Sequence, residues 1–188
     1  MRILLWLALL SLLPHLVMAS GFGGGVWRGK NLHVYDYSPN GWGNTFEQTV
    51  MNAGAILPDR APRLVYHRMP ASDCADVPLK KNAIVICRGD ISQWPPFLHK
   101  ATAMTWYPTE KRRIKWARVE VRNESGSVET ACHELIGHAL LGLDDDYNSK
   151  SPAESCIHAD ATKPGTWDQA VARWLYKKFD EPRKRTRH

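Results

Sequence analysis

The segment His133–Tyr147, HELIGHALLGLDDDY, constrains this chain more than any other, because it sets two histidines, a glutamate and three aspartates into one predicted helix and its exit. Two histidines four apart stand about 40° apart on an α-helix and present both imidazoles to one metal ion. Here the pair is His133 and His138, five apart. That is about 140° of rotation on an ideal helix, too far for two side chains to share one tetrahedral ion. The spacing leaves two possibilities: the helix absorbs an extra residue as a π-turn, which restores the common face, or no metal binds there.

The surrounding chain bounds the answer. An apolar run from Ile3 to Leu13 follows Arg2, and Val17-Met18-Ala19 precedes Ser20, so residues 1–19 read as a secretory signal peptide, with an uncleaved anchor as the alternative. No stable membrane span is expected after cleavage, and the expected location is secreted, extracellular or periplasmic. Residues 20–31 read as a flexible glycine-rich lead-in, and 32–180 as a single domain large enough to bury a core. Residues 181–188 read as a basic tail that supplies part of the net charge of +6. A solvated terminus is the plain reading of that tail; no specific nucleic acid is expected, and the protein is expected to be a monomer. Cys74, Cys87, Cys132 and Cys156 are an even set in an exported chain, which favours two disulfides. Three pairings are possible. Cys74–Cys87 with Cys132–Cys156 is the expected one, since the second bridge would tie the start of the His133 helix to the loop beyond it; Cys132 as a metal ligand is the competing reading.

Alternation of apolar and polar residues predicts a strand at 32–37, a helix capped by Asn44 and reaching Ile56, and a strand at 64–68. A uniformly apolar strand at 83–87 is expected to be covered on both faces. The runs 103–107 and 114–121 predict a hairpin, with Trp106, Tyr107 and Trp116 as cross-strand packing. Ser127 caps the motif helix, which holds Glu129 in its first turn, and residues 167–176 form a last helix. The fold class is α+β.

The motif, its aspartate exit and the closing helix with Asp168, Ala170 and Tyr176 together resemble the metzincin zinc endopeptidases, especially matrixin-like and snapalysin-like members. The resemblance covers most of the chain after residue 19. It implies a twisted mixed sheet of four or five strands with an active-site helix and a C-terminal helix. The chain differs from the family pattern in three places: the HExxxH spacing, similar to the HELLGH motif of dipeptidyl peptidase III; Gly142 lying four residues after His138 instead of three; and Ile157 standing where a methionine turn underlies the metal. The resemblance implies that His133, His138 and Asp145 hold Zn2+, with Asp144 as the alternative third ligand. Asp145 is favoured because a left-handed glycine at the helix end sets the count. Glu134 would be the general base, and the substrate a peptide or protein. An extended peptide could add a strand to 114–121 or to its hairpin partner. Two other functions fit the same sequence: a catalytically silent metzincin-like zinc-binding or interaction module, and a metal amidase acting on cell-wall peptide. Of the remaining histidines, His158 lies in the loop below the site.

Overall fold

The computed structural model describes residues 24–98, 100–123, 126–143, 155–158 and 160–179. The expected signal peptide, the start of the lead-in, the basic tail, and Asp144 and Asp145 lie outside the described residues. In chain order the elements are β1 (Asn31–Tyr37), α1 (Thr45–Gly54), β2 (Arg63–Arg68), β3 (Ala83–Arg88), β4 (Ala103–Trp106), β5 (Thr109–Glu110), β6 (Arg113–Ile114), β7 (Ala117–Val121), α2 (Val128–Ala131) and α3 (Thr166–Phe179). Five strands form one mixed sheet in the order β2-β1-β3-β7-β4, all parallel except β4, which runs antiparallel to β7 at the edge. The α+β expectation holds at this level.

The alternation of β1 turns Leu32 and Val34 to one face, where Ile84, Ile86, Val119 and Val121 join them under Phe46, Val50 and Ala53 of α1. On the opposite face Val85 and Cys87 of β3 pack with Cys74 and Val77, so β3 is covered on both sides as its apolar run predicts. Both disulfides form in the expected pairing, Cys74–Cys87 and Cys132–Cys156. Disulfides of this kind mark a chain folded in an oxidising environment. No helix among the described residues is long and apolar enough to cross a membrane.

Three expectations are corrected. The expected antiparallel pairing of 103–107 with 114–121 forms as β4 with β7, but the connection is not a single turn: β5 and β6 form their own small ribbon around Lys111 and Arg112, both left-handed at φ 51° and 63°. Pro108, which has no N–H to offer a ladder, stands at the break. Asn44 precedes α1 but its side chain makes no capping bond, because its ψ of 13° is not the extended conformation a capping side chain needs. The described part of the lead-in is packed. Gly25 N–H donates to Leu141 O at 3.1 Å, Trp27 Nε1–H donates to Ala139 O at 3.0 Å, and Trp27 is 1% exposed. Its glycines are there for close approach: a Cβ on Gly24 would lie 2.6 Å from Leu175 Cδ2.

Beyond Ser127, whose hydroxyl caps Thr130 N–H, α2 runs without a break into a π-helix, Cys132–Leu140. The winding ends where Gly142 turns left-handed at φ 62°, with Gly142 N–H donating to His138 O at 2.8 Å and Leu143 N–H to Gly137 O at 3.0 Å. A Cβ on Gly142 would meet Gly25 N at 2.9 Å. Gly142→Ala should therefore combine left-handed strain with a backbone clash and cost about 2–3 kcal/mol in urea unfolding. Gly43, at φ 48° with no atom within 4 Å of an added Cβ, is the control. Gly43→Ala, at φ 48° and ψ −127°, a conformation L side chains avoid, should cost about 1–3 kcal/mol from backbone strain alone.

Candidate metal centre

In a helix whose N–H groups reach back five residues, side chains five apart fall on one face, much as those four apart do in an α-helix. The π-winding over 132–140 thereby brings His133 and His138 together, with their Nε2 atoms 3.0 Å apart. The same winding accounts for the late glycine, since the wider turn continues through Leu140 before Gly142 can reverse the chain. One change of helical pitch thus accounts for both the five-residue spacing of the histidines and the position of Gly142.

Each imidazole is oriented from its other nitrogen. His133 Nδ1–H donates to Ile157 O at 3.0 Å, and His138 Nδ1–H donates to Leu143 O at 2.7 Å. A carbonyl oxygen can only accept, so in the neutral rings both Nε2 atoms are the basic ones, the arrangement expected of metal-ligating histidines with backbone carbonyls behind them. Two nitrogens on a tetrahedral zinc at about 2.0–2.1 Å lie roughly 3.3 Å apart, close to the spacing here. A histidine pair elsewhere in the fold supplies the contrast. His33 Nδ1 and His67 Nε2 are 2.9 Å apart with ring centroids 5.2 Å apart and the rings only 19° from coplanar, a head-on N–H···N hydrogen bond. At His133 and His138 the nitrogens are no closer, yet the centroids are 4.6 Å apart and the rings stand at 88°. The two rings therefore meet at an angle instead of head-on, as two ligands of one ion do. These donors fit a borderline divalent ion such as zinc.

The strip beneath the pair is fixed from α3. Asp168, fully buried, accepts from Ser155 Oγ–H at 2.6 Å, Cys156 N–H at 2.8 Å and Gly165 N–H at 3.0 Å. Burial pushes its carboxyl above the ordinary value, and the three donors pull it back only in part. Ile157, 6% exposed, packs against the helix where Gly137 gives room; a Cβ on Gly137 would lie 2.9 Å from Ile157 Cδ1. Ile157 thus places an apolar side chain against the helix beside the histidine pair.

Glu134 is 7% exposed, and its Oε2 accepts from Thr105 Oγ1–H at 2.6 Å. Tyr107 Oη–H donates at 3.0 Å to Leu143 O, the carbonyl that also takes His138. His158 Nδ1 accepts Asp160 N–H at 3.3 Å. Among the described residues no group of three or more His, Cys, Asp or Glu gathers at one point; both aspartates expected as third ligand lie outside them. Thr105 and the carbonyls of Leu143 and Ile157 were not singled out from sequence. Carbonyls leave no trace in side-chain identity, and Thr105 reads there only as one polar position in an alternating run.

Comparison with protein-family models, with curated proteins and with solved structures gives no match.

Proposed function

We propose that the chain is a secreted zinc-dependent endopeptidase of metzincin type, exported by a signal peptide over residues 1–19. The observation that supports this most strongly is the pairing of His133 and His138 on one side of a π-helix, each ring backed by a backbone carbonyl. His133 and His138 would hold zinc with Asp145, or Asp144 in its place. When bound, the ion supplies Lewis-acid chemistry, acidifying a water and polarising the scissile carbonyl.

The chain's own groups do the rest. Glu134, with Oε2 engaged by Thr105, has Oε1 to take the water's proton and to pass it to the leaving amine. The carbonyls of Ile157 and Leu143 keep each Nδ1 protonated, so that Nε2 stays basic. Of the two strands that could receive a peptide, β7 is interior and β4 is at the sheet edge, so the extended substrate would add alongside β4, the strand that bears Thr105.

The test is metal content together with turnover. One zinc per chain by elemental analysis, and hydrolysis of casein or a random-peptide library that a chelator abolishes and added zinc restores, are expected. Zinc without turnover would leave a binding module. Cleavage confined to a cell-wall digest would mark an amidase, and absence of stoichiometric zinc would overturn the site.

A further inference from the structure

The contact between Thr105 and Glu134 joins two elements that are built independently. Thr105 lies on β4, where its backbone pairs with Val119 of β7, and a β-branched side chain in a strand has few χ1 choices. Glu134 lies on the π-helix beside the first histidine. The Thr105 hydroxyl stands 2.6 Å from Glu134 Oε2 and 3.2 Å from Glu134 O, and since it has one hydrogen, the shorter contact takes it. The hydrogen bond is short and set in a nearly buried place, where water competes little for it.

We propose that Thr105 is the positioning residue of the general base; this rests on the endopeptidase reading. A glutamate next to a metal-binding histidine can do two incompatible things: accept a proton from water or bind the ion itself. Engaging Oε2 from the sheet removes the rotamer freedom that would let the carboxylate swing to the ion, and directs Oε1 to the water. The same strand is the last in the sheet's order among the described residues, and an extended substrate would add along it. Base and substrate are therefore aligned by one rigid element, so their relative placement does not depend on the helix alone. Thr105 touches neither the ion nor the substrate's reacting atoms; it acts through Glu134.

Thr105→Val keeps shape and removes the hydroxyl; Thr105→Ser keeps the hydroxyl. In the zinc-loaded full chain, Thr105→Val is expected to lower kcat by about 10- to 100-fold, the scale of a misplaced catalytic group, with KM within about twofold. Thr105→Ser should recover most of the rate. Two equilibrium readouts separate positioning from damage. Zinc affinity, by competition with a chromogenic chelator, should be unchanged in Thr105→Val. Affinity for a peptide hydroxamate, whose hydroxyl proton passes to the base, should fall by about tenfold, while affinity for the same peptide ending in a carboxylate should hold. A native-like kcat in Thr105→Val, no recovery in Thr105→Ser, or parallel loss of zinc affinity would overturn the proposal while leaving the zinc endopeptidase reading intact. Native protein that binds no zinc or hydrolyses no peptide would overturn both.

Discussion

Replacing Glu134 by Gln is expected to cut peptide hydrolysis by on the order of 10²–10⁴-fold while zinc content and fold are retained. The substitution is close to isosteric at a site only 7% exposed, so it opens no cavity. The amide oxygen can still accept the Thr105 hydroxyl that now bonds Oε2, which keeps the side chain in place. What is lost is the ability to take a proton. His133 and His138 keep their carbonyl partners, because neither Ile157 O nor Leu143 O depends on the glutamate. The signature is therefore one zinc per chain by elemental analysis, a urea midpoint near that of the native protein, and turnover close to background. Full activity in Glu134→Gln would sink the general-base mechanism; loss of zinc along with activity would mean that Glu134 is a ligand.

How much of this was legible in the sequence follows from where the information sits. The spacing of His133 and His138 poses a geometric problem with few solutions, and the π-helix is the one adopted. Gly142, standing one position late, is the trace of the same winding, since a left-handed turn must follow wherever the wider helix ends. Cysteine placement also reads through, because bridging Cys132 to Cys156 requires only that the loop return beneath the helix start. Other features belong to tertiary contacts. Gly24 and Gly25 look like a hinge in composition, yet they are small so that Leu175 and Ile114 can lie against the backbone. Trp27 becomes legible as an anchor only once the π-helix has left Ala139 O for it to bond. Asn44 has the composition of a cap without the backbone angle, which composition does not record.

Removing the Cys132–Cys156 bridge as Cys132→Ala with Cys156→Ala is expected to weaken both the fold and the metal centre. Alanine avoids leaving a buried hydroxyl without a partner at two positions that are 0% exposed. With a sequence separation of 24 between the cysteines, loss of the cross-link frees chain entropy in the unfolded state worth about 3.5 kcal/mol. The bridge also joins the first residue of the π-helix to the strip whose Ile157 carbonyl orients His133. Asp168 still holds that strip to α3 through Ser155 and Cys156, so the strip should loosen without detaching. Zinc affinity should consequently fall by about 10- to 100-fold, the scale for disturbing a ligand's outer partner. The Cys74–Cys87 bridge makes the contrast. Its 13-residue separation corresponds to about 3 kcal/mol, but it lies on the opposite face of the sheet, in the cluster with Val77 and Val85. Replacing that pair by alanine should lower the urea midpoint by a similar amount and leave zinc affinity unchanged. Equal loss of zinc affinity in the two variants would reduce the effect to general destabilisation; no loss in the Cys132/Cys156 variant would mean that Asp168 alone holds Ile157 under His133.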